Sequence, residues 1–303
     1  MIKSLLLYMS GQPKLQELAT KLEFSRRTAR RFVAGEEITE AIAAVKELNR
    51  KGFTATLDNL GEFVNTKEEA TGASDEYLRA LDEIQNNAVN GNVSLKLTQF
   101  GILLDEAFCE KNAERVVTRA REYKNFVRID MENSPVTDST LRIFSNLRKK
   151  YDNVGIVLQA YLFRTEKDIS DMLQLKSRIR LCKGAYKEPP EISFKKKSDT
   201  DSNYVKLMKI LLKSGIYHGI ATHDPNMIQA TKNFVAQENI ARDAFEFQML
   251  YGIRRDLQDH LIKEGYQMRI YVPYGRDWYS YLMRRMAERP ANLLFVVRNF
   301  FRG

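Results

Sequence analysis

Eight short runs rich in β-branched and other apolar residues recur along this chain, each separated from the next by a stretch with helical spacing. They read FTATLDNLGE from Phe53, VSLKLTQFG from Val93, FVRIDMENS from Phe126, VGIVLQAYLF from Val154, RIRLCKGAY from Arg178, YHGIATHDP from Tyr217, FEFQMLYG from Phe245 and MRIYVPYG from Met268. Several are almost continuously apolar, as strands covered on both faces must be. The gaps are long enough for the helical crossovers that parallel pairing requires. Thr66 with Glu69, and Thr165 with Asp168, have capping-box spacing, and Gly215 closes SNYVKLMKILLKSG. Eight βα units in about 250 residues match a (β/α)8 TIM barrel, an α/β fold. A doubly wound open sheet is the alternative, and no GxGxxG follows the first run to favour it.

Ahead of the barrel, PKLQELATKLEF and ITEAIAAVKELNRKG read as helices, so residues 1–52 are expected to form an N-terminal helical arm and residues 53–303 the catalytic barrel. Between the two helices lies SRRTARRFVAGEE, which suits either phosphate binding or a solvated helix face. Residues 187–203, KEPPEISFKKKSDTDSN, form the one long polar loop, to be read as a lid or as a connection.

The chain carries 48 Lys and Arg against 39 Asp and Glu, a net charge of +9 that favours anionic partners without choosing among them. Two cysteines, Cys109 and Cys182, and three scattered histidines leave no disulfide framework and no metal set. No signal peptide or spanning run is evident, so a cytoplasmic location is expected, with peripheral contact on the inner membrane face kept open.

In a barrel, chemistry belongs at the carboxyl ends of the strands. Those ends are polar here: Asp58 and Glu62, Lys96, Asp130 and Glu132, Gln159, Lys183, Thr222 and His223, Gln248, Tyr271. Lys96 and Asp130 are flanked by apolar residues, so burial would be costly unless each is paired or meets a ligand. Gly184 and Ala185 keep a turn small beside Arg180 and Lys183, which allows close backbone approach to a ligand. His223 suits an acid/base, a hydrogen-bonding contact or a core histidine. Near the C-terminus, WYSYLMRRMAERP places Tyr281 three and four residues before Arg284 and Arg285, an aromatic ring and two forked cations sharing one broad helix face. A site with these cations and carboxylates but no Ser–His or Cys–His pair draws its chemistry from an organic cofactor.

Together LKLTQFG, VRIDME, VLQAYL, RLCKGAY, ATHD, FEFQMLYG, RIYVPYG and YLMRRMAE, in this order over residues 53–289, resemble the proline dehydrogenase family of flavin-dependent barrels. The resemblance implies noncovalent FAD lined by Met131, Gln159, Arg180, Lys183, Gly184, Ala185, Thr222 and His223. It implies that Lys96, Arg284 and Arg285 hold the carboxylate of L-proline. Tyr271, Tyr281 and Leu250 would pack on the ring, and Asp130 and Arg180 would stand at the reacting centre. Glu62 would gate the site by pairing with Arg284, and the final helix would cap the barrel mouth. The product would be 1-pyrroline-5-carboxylate and the electron acceptor a membrane quinone. The C-terminal LLFVVRNFFRG would either touch a membrane or another subunit, or dock on the barrel. The alternatives are a methylenetetrahydrofolate reductase-like flavin barrel and, from another class, a nucleic-acid-binding protein. No nucleic acid is expected as partner.

Overall fold

A computed structural model describes residues 29–61 and 64–288, without the side chains of Arg284 and residues 286–288. Eight strands run β1 (Thr54–Asn59), β2 (Gly91–Leu95), β3 (Val127–Ile129), β4 (Val154–Gln159), β5 (Ile179–Cys182), β6 (His218–Ala221), β7 (Phe245–Leu250) and β8 (Gln267–Tyr274). Every neighbouring pair is parallel, and β8 closes on β1 through a register that runs from Thr54 opposite Arg269 to Asn59 opposite Tyr274. Each of the eight runs read from the sequence overlaps one of these strands, with β2 and β8 starting two residues and one residue earlier than read, so the barrel is as expected and the open sheet is set aside.

Seven helices follow the first seven strands: α2 (Lys67–Asn86), α3 (Glu106–Glu122), α4 (Ser134–Lys150), α5 (Thr165–Gln174), α6 (Lys197–Lys213), α7 (Pro225–Gln237) and α8 (Arg255–Lys263). The eighth position on the wall is taken from before the first strand. Helix α1 (Ile38–Arg50) turns Ile38, Ala41, Ile42 and Val45 into the same core as the strands and lies against β1 and β8. Part of the segment read as an arm therefore covers the seam where the barrel closes. The helix after β8, α9 (Trp278–Glu288), is thereby released from the wall. It packs Trp278, Tyr279, Tyr281, Leu282 and Met283 against Leu60 beyond β1, Ile253 beyond β7, and Ala29, Phe32 and Val33. These neighbours place α9 on the rim at the carboxyl ends of β7, β8 and β1.

The two helix starts with capping-box spacing differ. Thr66 does cap α2, accepting from the Glu69 amide at 3.1 Å, but the Glu69 carboxylate takes the amide of Asn65 rather than that of the cap residue. Thr165 is not a cap. It is the first residue of α5, and its hydroxyl donates to the Gln159 carbonyl at 2.5 Å, while Asp168 pairs with Arg164 at 2.8 Å. The polar loop is shorter than 187–203 because α6 begins at Lys197, and it is pinned to the barrel. Glu188 is buried and accepts from the Ser134 amide at 2.8 Å, and Phe163 donates to the Ile192 carbonyl at 3.0 Å. Residues 1–28, LLFVVRNFFRG and Glu62 lie outside the described residues. Of SRRTARR, only the part from Ala29 is described.

Candidate active site

Alternation along parallel strands sends every second side chain into the lumen. In most barrels that lumen is filled by branched aliphatic groups; here it is charged. Its lower layer joins Glu246 to Arg269 at 2.7 Å and to Gln248 at 2.5 Å, with Asn92 accepting from Thr56 at 2.5 Å. Arg128 lies beside this layer, donating to the carbonyls of Arg178 at 2.8 Å and Ile156 at 3.3 Å. Its burial, with Arg180 and Arg269 nearby, pulls its pKa down to about 9.

Above it, five strand ends converge. Asp130, just beyond β3, accepts from Ser94 of β2 at 2.5 Å, from Arg180 of β5 at 2.9 Å and, on its other oxygen, from the Tyr271 hydroxyl of β8 at 2.8 Å. The Arg180 guanidinium lies 5.1 Å from the Tyr271 ring centre, in cation–π range. Lys96, just beyond β2, pairs with Asp58 of β1 at 2.6 Å. The two charges singled out as too costly to bury alone are thus each paired. Burial raises the Asp58 carboxyl above its ordinary range against the pull of Lys96. Burial also works against the Lys96 ammonium, but Asp58, Asp130 and Glu132 outweigh it and hold its pKa above the usual lysine value. Tyr271, pushed well up by burial and by Asp130, stays a phenol and donates.

The remaining residues named from sequence divide. Tyr281 and Arg285 share a face of α9, with the guanidinium 5.3 Å from the ring centre, and Leu250 packs against the same apolar cluster. The Arg284 side chain and Glu62, hence the gate, lie outside the described residues. Lys183 is engaged elsewhere, held by Asp201 of α6 and by Asp224, the N-cap of α7, at 2.7 Å. Asp224 responds with a carboxyl lowered to about 2, because the hydrogen bonds and charge of Lys183 and Lys197 and the Asn226 amide outweigh its burial. Gly184 has φ +115°, and a Cβ there would meet the Tyr161 ring at 2.2 Å, so the glycine is required by the protein's own packing. Gln159 donates to the Glu132 carbonyl at 3.0 Å, and the Thr222 hydroxyl accepts from the Asp224 amide at 3.1 Å. His223 Nε2 accepts from the Leu250 amide at 2.9 Å, so this nitrogen carries no proton. Met131 is buried and Ala185 exposed. Glu132 is clasped by the amide and hydroxyl of Thr98, and burial raises its pKa.

Ser94, Tyr77 and Gln99 were not singled out from sequence. Period-two counting back from Lys96 would have found Ser94; Tyr77, on a wall helix, gave no such signal. A separate cavity of about 170 Å³ lies between residues 29–40 and Trp278 and shares no residue with the mouth. Among the described residues no group of three or more His, Cys, Asp or Glu could hold a metal ion, and no helix is long and apolar enough to cross a membrane.

A family model described as proline dehydrogenase matches residues 41–298. Proline dehydrogenase 2 of Bacillus subtilis (strain 168) is 45% identical over 274 residues, 90% of each chain. Proline dehydrogenase 1 of the same strain is 43% identical over the full length of both chains, and the proline dehydrogenase of Deinococcus radiodurans is 42% identical over 98% of this chain and 97% of its own. Among solved structures, proline utilization A (PutA) from Bdellovibrio bacteriovorus, inactivated by N-propargylglycine, superposes with a TM-score of 0.83 at 27% identity. That match covers 87% of this chain and 33% of the longer one. The charged lumen, the ring of strand-end residues and these likenesses point the same way: the chain belongs to the proline dehydrogenase family.

Proposed function

We propose that this barrel oxidises L-proline to 1-pyrroline-5-carboxylate using noncovalently bound FAD. The observation that carries the reading is the convergence of Lys96, Asp130, Arg180 and Tyr271 from four strand ends, below a helix that brings Tyr281 and Arg285 to the rim. The named relatives support the substrate and the reaction.

The mouth suits a flavin. Arg180 is buried, and its Nε finds no hydrogen-bond partner among the described residues, a spare donor that fits the acceptor atoms of an isoalloxazine ring. Met131, Gln159, Arg180, Lys183, Gly184, Ala185, Thr222 and His223 are the residues we assign to its binding. When bound, FAD would supply at N5 the acceptor for the hydride from the δ-carbon beside the amine, the nitrogen giving up its proton to solvent as the C=N bond forms, and the electrons would pass on to a membrane quinone.

The protein's own part is to bind and orient. Lys96, Arg284 and Arg285 take the carboxylate, the arginines as bidentate forks. Tyr271, Tyr281 and Leu250 flank the ring and exclude water. Holding the carboxylate fixes which carbon is presented for oxidation. Asp130 keeps Arg180 and Tyr271 aligned, and Tyr271 retains its proton. Glu62 pairing with Arg284 would close the mouth.

Spectroscopy of the purified holoenzyme tests this. Anaerobic L-proline should bleach an oxidised flavin band while D-proline leaves it intact. A flavin band indifferent to L-proline would keep the barrel and reopen the substrate. No flavin after reconstitution with FAD would overturn the reading.

A further inference from the structure

The Lys96 ammonium lies between a buried wall and the open mouth. Its side chain is 21% exposed, whereas that of Asp58, 2.6 Å away, is 2% exposed. The carboxylate therefore sits on the inner side and occupies one N–H donor, leaving two for the mouth. Asp58 is in turn framed. The Tyr77 hydroxyl of α2 is 3.4 Å from its Oδ1 and 3.3 Å from Gln99 Oε1, two acceptors for one proton. Gln99 Nε2 donates to the Asn59 carbonyl at 2.9 Å, which ties the frame to the end of β1.

A lysine head rides on a flexible four-carbon stem, and ordering it on ligand binding costs free energy. A fixed partner on the buried side removes that cost before the ligand arrives. We propose that Asp58 is a positioning residue for the substrate carboxylate: it braces Lys96 from behind, keeping the ammonium charged and aimed into the mouth, with Tyr77 and Gln99 holding the brace. The inference rests on Lys96 as a carboxylate ligand and adds a residue to that site. The charged and titratable groups around the pair are Asp130 and Glu132 toward Lys96, and Asp130, Tyr77 and Tyr271 toward Asp58. Of these, Asp58 makes the largest favourable contribution to the charge on Lys96.

Cyclopentanecarboxylate serves as probe: it has the ring and the carboxylate but no amine, so its charge is constant above neutral pH. Its Kd for the holoenzyme is measured by calorimetry from pH 7 to 10.5. Asp58→Asn keeps an oxygen in place and removes the charge. Its Kd should rise about tenfold, one charged hydrogen bond's worth, and the alkaline loss of binding should begin at lower pH than in the parent. Asp58→Glu keeps the charge and displaces the ammonium, so Kd should rise several-fold with the pH of onset unchanged. Parent-like Kd and onset in Asp58→Asn, or parent-like Kd in Asp58→Glu, overturns the brace. Parent-like binding in Lys96→Met fails at an earlier step, the assignment of Lys96 to the carboxylate, and so separates the two claims.

Discussion

Two carboxylates one layer apart in the same lumen behave oppositely. Glu246, in the lower layer, is buried yet its pKa is lowered, because Arg269, Arg128 and Gln248 together overcome the desolvation. The Tyr217 hydroxyl donates to its second oxygen at 3.1 Å, so both oxygens are taken. Asp58, in the layer above, is equally buried and its pKa is raised, with Lys96 as its one ion-pair partner among the described residues. A buried carboxylate whose charge is fully compensated is structural; an under-compensated one beside spare donors is prepared for a ligand. Charge inside a barrel does not by itself mark a site. The degree of compensation does.

The comparison breaks most visibly by removing Glu246. Glu246→Ala would leave Arg269 and Arg128 buried without their counter-charge, and stability should fall by about 3–5 kcal/mol, read from urea unfolding at neutral pH. A loss under about 1 kcal/mol would mean that Glu246 is not the structural counter-charge of the lower layer. At the mouth, the effect should fall on turnover instead. Asp130→Asn weakens its bonds with Arg180 and Tyr271, and kcat/KM for L-proline should drop roughly 10- to 100-fold while the melting temperature moves little. A protein that melts early but turns over normally would reverse the assignment of the two layers.

The last expected effect comes from outside both layers and lies in the pH slope of stability. His218 is fully buried, its Nδ1 accepting from the Ile179 amide at 3.0 Å and its Nε2 2.9 Å from the Ser214 hydroxyl, and burial lowers its pKa to about 3. Because the unfolded imidazole titrates near about 6.5, the unfolded chain takes up a proton that the fold refuses. The contribution is fully present above about pH 6.5 and is lost progressively towards pH 3, at up to about 1.4 kcal/mol per pH unit. His218→Gln should flatten the stability profile between pH 6 and 4; an unchanged slope would show that other groups carry it.

The barrel was legible because buried parallel strands write themselves as apolar runs such as VGIVLQ and FEFQML, repeated at crossover spacing. The charged strand ends were legible for the converse reason: Lys96 and Asp130 interrupt such runs. What could not be read was which charges meet. Lys183 and Arg180 are three residues apart on one strand end, yet one faces Asp130 and the other faces Asp201 and Asp224. Partners for a cation come from distant elements, and sequence spacing holds no record of them. Tyr77 escaped for the same reason, since its tip reaches the mouth from the outer wall. The two local errors also have a cause. Thr165 looked like a cap, but a carbonyl six residues back offered its hydroxyl a better bond, and the charge-rich KSDTDS from Lys197 that read as loop forms the first turns of α6.

The closure of β8 on β1 also orders events in time. The hydrogen bond from Tyr271 to Asp130 spans 141 residues, and the seam between β1 and β8 joins positions more than 200 residues apart. A chain emerging from synthesis holds Lys96, Asp130 and Arg180 long before it holds Tyr271 or α9. Lys96 can pair with Asp58, and Arg180 with Asp130, before the last strand arrives, but the phenol that takes the second oxygen of Asp130 and the helix over the rim come only with β8 and α9. A ligand that needs Tyr271 and α9 as well as Lys96 is therefore held only once the last strand has closed on the first.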